Sequence, residues 1–445
     1  MRASTLSAQP PVPNNPRQET SATPIPAPIP RGVADYFWGE AARRRTLEAD
    51  LLALFRAWGY GDVLPPAFEY VETLAQRANP ELQAELYRFV DRDGSALALR
   101  ADMTIPVARL VATRLHDLPM PQRFCYAGSV FRYADTQAGM QREFWQAGVE
   151  LIGAADPAAD AEVLALTVRA LEAAGLAKVQ LAVGHLGYFH GLLEALALPQ
   201  HAQEALLVAV DRNSEAALID FLRATNLSDV ARTAVAGVPT LSGDDPRALL
   251  ERADKLCLND AMSSALDNLR AILRALHGHA LDERVHVDLT EIHNLGYYTG
   301  MTFEALSPRL GFALASGGRY DHLVGTFGAP QPAVGAALIL DRLLLALRPE
   351  ATPARPLAPQ VLAATQGDPA AHAAVEVLRS AGLTVAVDLA NRSAQPLADY
   401  AQKVGARVTL CWSNGAFQRC CSNGVFESLP TGDALARQLL GEVRT

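Results

Sequence analysis

At 445 residues, half of them apolar and a fifth charged, the chain is long enough for two or three domains, each with a sizeable core. Its net charge of −9 gives no overall field favouring polyanions, so contact with nucleic acid would need a local basic patch. The five cysteines (Cys125, Cys257, Cys411, Cys420, Cys421) are scattered and lack metal-ligand spacing, which fits reduced cytosolic thiols better than a disulfide framework. No run of eighteen apolar residues occurs, which excludes a transmembrane helix.

The first thirty residues contain eight prolines and no hydrophobic stretch of signal-peptide length, so 1–29 is expected to be a disordered tail. From Glu40 to Trp58 the apolar positions Leu47, Leu51, Leu54, Phe55 and Trp58 recur at helical spacing, and Gly59 ends the helix. Val63 to Glu69 is extended and carries paired prolines, which belong at a strand start, an edge or an interface. Residues 85–100 predict a hairpin turning at Asp91-Arg92-Asp93-Gly94. The segment Arg142–Gly153 alternates: Glu143, Trp145, Ala147, Val149 and Leu151 share one face, and Arg142, Phe144, Gln146, Gly148 and Glu150 the other. A polar face containing a glycine suits the floor of a cleft. From Asp156 to about Ala280 the chain is mainly helical, with a strand at Leu181–Gly184, and a helical insertion of about 190–280 carries no chemical motif. Strands resume at Val285 and run to about Leu314, and Val334–Leu347 is expected to be a buried helix. Four prolines mark 348–359 as a linker, after which 360–445 alternates strand and helix as a small α/β domain.

Residues 123–152 contain Phe131-Arg132-Tyr133-Ala134 and Gln146-Ala147-Gly148-Val149-Glu150. This stretch resembles motif 2 of class II aminoacyl-tRNA synthetases, histidyl branch. There Phe-Arg-(His/Tyr)-Glu uses its arginine on the ATP α-phosphate and its glutamate near the adenine; here Ala134 replaces the glutamate. Further pieces follow the same family in order. The first helix, Gly59-Tyr60 and Pro65-Pro66-Ala67-Phe68-Glu69 resemble motif 1, which implies a homodimer interface. Leu99-Arg100-Ala101-Asp102-Met103-Thr104 resembles the segment whose carboxylate holds the amino acid's ammonium. Taken alone, an aspartate at a strand end is usually a cap. Leu295-Gly296-Tyr297-Tyr298 to Phe303-Glu304 resembles the histidine-specific motif, with His293 where its arginine stands and Gly296 where its aspartate stands. Ser316-Gly317-Gly318-Arg319-Tyr320 and Leu340-Asp341-Arg342 resemble the end of the catalytic core. Residues 360–445 resemble, in shortened form, the anticodon-binding domain.

The resemblance implies a class II synthetase-like α+β fold: an antiparallel sheet flanked by helices over 30–347, a helical insertion, and a small C-terminal α/β domain. It implies an L-histidine pocket of Asp102, Thr104, Gln146, Glu150, Tyr298 and Tyr320. Arg132 and Arg342 keep a nucleotide- or phosphate-binding pair. The departures at Ala134 and His293 fall on activation chemistry, where one electrostatic group is often worth about two to three orders of magnitude.

The pattern is similar to the synthetase paralogue that serves as regulatory subunit of short-form ATP phosphoribosyltransferase, the first enzyme of histidine biosynthesis. That family implies a non-catalytic cytoplasmic protein with no cofactor or metal. Its partner is a separate short catalytic subunit, and its regulation is feedback by histidine. An alternative is a histidyl-tRNA synthetase; another is a histidine sensor for an unrelated partner. The C-terminal domain balances seven basic against seven acidic residues, which leaves little electrostatic footprint for tRNA.

Overall fold

The computed structural model describes residues 28–75, 80–134, 141–212, 214–291, 298–347, 358–420 and 426–444. Nearly all of the expected tail, most of the linker, and the positions His293 and Gly296 lie outside the described residues.

The apolar stripe of the first helix, Trp38–Ala57, buries Leu47, Leu51 and Phe55. It lies against the strand Gln122–Phe131 and the helix Pro157–Ala173. Proline at the first position and Asp156 Oδ1 accepting from Ala158 N (2.8 Å) begin that second helix. Together with Asp260–His277 these helices cover one face of a nine-stranded sheet and close the largest apolar cluster.

Across the sheet the strands run Gly61–Asp62, Gln122–Phe131, Glu143–Ile152, Ala333–Ile339, Ala315–Arg319, Met301–Leu306, Gln180–His185, Val285–Asp288 and Ser242–Gly243. Pairing is antiparallel except near the flanks, where Gly61–Asp62 and Val285–Asp288 each run parallel to a neighbour. The alternation read in 142–153 is realised: Ala147, Val149 and Leu151 enter the helix-covered core, and Phe144 joins a second cluster on the opposite face.

One element differs from expectation. Val334–Leu347 is not a single helix: Ala333–Ile339 is a central strand, and only Leu340–Ala346 is helical. The strand is buried on both faces, so its apolar run carries no period of two to distinguish it from a buried helix.

Below the pocket face sit the helix Thr104–Leu110 and a three-stranded sheet of Phe68–Tyr70, Ala96–Leu99 and Arg88–Val90. Between Leu186 and His277 the described elements are helices apart from Ser242–Gly243, which adds the outermost strand of the large sheet. The C-terminal sheet orders Val385–Val387, Val361–Ala364, Val408–Ser413, Ala416–Cys420 and Phe426–Ser428. Its first three strands are parallel, and its last pairings antiparallel. The terminal hairpin and the helix Asp433–Arg444 were not read from the sequence.

Candidate functional site

Cross-strand partners point to the same side of a sheet, so register fixes which residues share the pocket face. One row runs Glu150, Gly335, Gly318, Thr302. The next begins Tyr126, Gly148, Ala337, and a third Gly128, Gln146, Ile339. The glycines are sterically required. A Cβ on Gly335 would lie 1.8 Å from Glu150 Oε2, and one on Gly148 would lie 2.5 Å from the Tyr126 hydroxyl. Polar side chains lie flat along the sheet because these positions have no side chain of their own.

Glu150, wholly buried, is the centre of the site. Its Oε1 accepts from Thr104 Oγ1 at 2.8 Å and from the Tyr126 hydroxyl at 3.1 Å, and its Oε2 accepts from the Tyr320 hydroxyl. Burial pushes its pKa up to about 7 against the pull of the three hydroxyls, and Asp102 nearby adds to the rise. Asp102 is itself buried, and its Oδ1 accepts from Ile105 N at 3.0 Å. It therefore does cap the start of the helix Thr104–Leu110, as an isolated aspartate usually would, while standing beside the pocket. Burial raises its pKa, and Ile105 N–H and the Arg132 charge work against that.

Two polar atoms on this face have no partner. Gln146 Oε1 and Thr302 Oγ1 are buried without a hydrogen bond. An unmet buried acceptor is unfavourable by about 1–3 kcal/mol, so Gln146 is poised for a donor brought by a ligand. Tyr320 is buried; Tyr298, half-buried, lies over Gly318, where an added Cβ would meet its ring at 3.0 Å. The six residues expected at the pocket thus lie on or beside one sheet face. Sequence reasoning missed Tyr126 and Thr302; pairing of the two motif 2 strands places Tyr126 opposite Gly148 and would have found it.

Beyond Gln146 the face opens into a recess of ≈ 400 Å³, including its mouth, lined by Glu85, Arg132, Ala134, Gln141, Phe144, Ile339 and Arg342. Arg132 Nε donates to Ala101 O (2.9 Å), and its guanidinium lies 5.4 Å from the Phe144 ring centre. Arg342 Nη1 donates to Ala313 O (2.7 Å); burial and the Arg132 charge lower its pKa. Arg132 and Arg342 outnumber Glu85 in the lining, which suits an anion. No carboxylate comes from position 134.

Elsewhere, Ser242 Oγ is 2.8 Å from His286 Nε2, and His286 Nδ1 is 2.7 Å from Asp244 Oδ1. This resembles a nucleophile–base–acid triad, but Ser242 Oγ donates to Asp288 Oδ2 (3.0 Å), so its proton is directed away from the imidazole. The cluster is exposed at the sheet edge and reads as a bridge between Ser242–Gly243 and Val285–Asp288. Among the described residues no group of three His, Cys, Asp or Glu could hold a metal, and no helix is long and apolar enough to cross a membrane.

The family model for histidyl-tRNA synthetase matches residues 32–343. A protein of Moorella thermoacetica named ATP phosphoribosyltransferase regulatory subunit is 40% identical over 387 residues, covering 87% of this chain and 98% of its own. One of the same name from Syntrophotalea carbinolica is 37% identical over 384 residues, covering 86% and 89%. The chain belongs to the ATP phosphoribosyltransferase regulatory subunit family, a branch of the histidyl-tRNA synthetase fold. Among solved structures, an ATP phosphoribosyltransferase regulatory subunit/histidyl-tRNA synthetase from Bacillus halodurans superposes with TM-score 0.75 at 30% identity, covering 86% of this chain and 97% of that one. Histidyl-tRNA synthetase from Nostoc sp. matches at TM-score 0.72 and 21% identity over 94% of this chain and 100% of that one, which shows the shared fold alone. Within the regulatory subunit family, then, the fold is that of a class II synthetase.

Proposed function

We propose that this chain is a non-catalytic regulatory subunit of ATP phosphoribosyltransferase that binds L-histidine and carries its feedback signal to a separate short catalytic subunit in the cytoplasm. The observation that carries this reading is the contrast between two ends of one sheet face. At one end Glu150, ringed by Thr104, Tyr126 and Tyr320, offers a buried carboxylate to an imidazole N–H. Two rows along the face, past Gly148, the unpartnered Gln146 Oε1 suits an α-ammonium, and Asp102, close enough to Glu150 to raise its pKa, adds a second carboxylate. At the other end the recess is lined by Ala134 in place of the motif 2 glutamate, with Glu85 as the carboxylate that remains. Recognition is kept while activation chemistry is thinned, as feedback sensing requires. Tyr298 and Tyr320 complete the ring site, and no cofactor or metal is needed.

A homodimer through the motif 1 region fits the exposed apolar side chains in and beside it: Leu64 is 87% exposed, Phe68 52% and Tyr70 57%. The histidine–tRNA ligase reading draws on Arg132 and Arg342, which both line the recess. An ATP–pyrophosphate exchange assay with histidine separates the two. No exchange, together with histidine-sensitive stimulation of a short-form catalytic subunit, is expected. Robust exchange would overturn the proposal, and so would a catalytic subunit indifferent to the chain.

A further inference from the structure

The pocket is tied at a distance to the exposed apolar sheet by one short, rigid element. The helix Thr104–Leu110 is buried over its first five residues, Thr104 to Ala108. At its start Thr104 Oγ1 donates to Glu150 Oε1 (2.8 Å), and Asp102 accepts from Ile105 N. Five residues on, about 7.5 Å at 1.5 Å per residue, Arg109 grips Glu69: Nη2 donates to Oε1 at 2.8 Å, and Nε lies 2.7 Å from Oε2. Glu69 is the inward, buried residue of the strand Phe68–Tyr70, and its neighbours Phe68 (52% exposed) and Tyr70 (57%) face outward. Arg100 anchors the chain just before the helix, donating to Pro65 O (2.6 Å) and Ser129 O (2.9 Å). Asp102 and Ile105 pack closely against the apolar side chains Leu74, Leu82 and Leu86, so the start of the helix moves together with that layer.

We infer that this helix couples pocket occupancy to the exposed sheet, with Arg109 and Glu69 as its positioning residues. The inference rests on the reading of the pocket as a histidine site. A ligand that competes with Thr104 for Glu150, or draws on Asp102, pulls on the start of the helix. The ion pair at Arg109 then transmits the shift to the strand bearing Phe68 and Tyr70. Neither Arg109 nor Glu69 touches the ligand, so their loss leaves affinity in place and removes the response. By linkage, a second copy docked on the apolar sheet and histidine in the pocket alter each other's affinity by the same factor.

The experiment is amide hydrogen exchange of the full chain with and without saturating L-histidine, alongside calorimetric titration, for wild type, Arg109→Met and Glu69→Gln. In wild type, histidine is expected to slow exchange at 68–70 at least about threefold, as well as at 102–110. Both variants are expected to bind histidine within about threefold of wild type and keep the change at 102–110, yet lose it at 68–70. Should Arg109→Met fail to fold, Glu69→Gln, which keeps the side-chain shape, carries the test. Persistence of the change at 68–70 in a folded variant overturns the coupling, as does wild-type binding with no change there. Absence of histidine binding in calorimetry overturns the pocket reading itself and the coupling with it.

Discussion

Replacing Glu150 by glutamine keeps the volume of the side chain and removes its charge. In the wild-type site two carboxylate oxygens accept from three hydroxyls, those of Thr104, Tyr126 and Tyr320. An amide offers one acceptor oxygen and an NH₂ that can only donate, so at least one hydroxyl must turn away, and an imidazole N–H loses its charged acceptor. Hydrogen bonds to charged groups contribute about 1.5–3 kcal/mol, which corresponds to a histidine Kd weakened about 10- to 150-fold. Stability moves the other way with pH. The pKa of Glu150, about 7, stands above the ordinary carboxyl value of 4.5, so the folded state holds this proton more tightly than the unfolded chain. The stabilisation it gives is full below about pH 4.5 and is lost as pH rises through about 7, an upper bound of about 3 kcal/mol. Glutamine has no proton to lose, so the melting temperature of Glu150→Gln should gain on wild type between pH 5 and pH 8. Titration calorimetry and melts across that range read both effects. A variant that binds histidine within about twofold of wild type refutes the assignment of Glu150 to the ring.

Gly335→Ala, whose Cβ would stand 1.8 Å from Glu150 Oε2, should displace that carboxylate and weaken histidine binding by at least about tenfold, measured by the same titration. His185 is held in a buried site with its pKa pushed down to about 4, so the stability it gives is present above its ordinary value of 6.5 and is lost as pH falls through about 4. His185→Gln should flatten that acid limb in urea denaturation series taken at pH 4 to 7. Arg319→Met should lower stability by about 3–5 kcal/mol, because it strips the wholly buried Asp160 of its ion pair (2.6 Å). Urea unfolding at pH 7.5 measures it, and a change below about 1 kcal/mol would show that Asp160 is compensated in another way.

The pocket was legible because its residues recur at spacings that both a strand and a family motif constrain. The period-two alternation of Arg142–Gly153 sorted Gln146, Gly148 and Glu150 onto one face without any structure. The strand Ala333–Ile339 was illegible for the opposite reason: burial on both faces erases alternation, so the glycine that makes room for Glu150 was read inside a helix. Tyr126 was hidden in a strand with apolar residues on both sides, where only the register with Gly148 identifies its face. The C-terminal hairpin did carry a local signal, Asn414-Gly415, and both residues adopt positive φ (51° and 80°) at the turn. The Arg109–Glu69 pair spans forty positions and follows no local period, so only the folded chain brings it together.

The proposed function makes this synthetase-like pocket a histidine sensor acting on behalf of another subunit. Its most direct test is the ATP phosphoribosyltransferase activity of a short-form catalytic subunit, measured with and without this chain across a histidine titration, for wild type and Glu150→Gln. Stimulation by both forms is expected, with histidine inhibition in the wild type and an inhibition curve displaced to at least about tenfold higher histidine in the variant. Equal inhibition of the two, or none in the wild type, would contradict it.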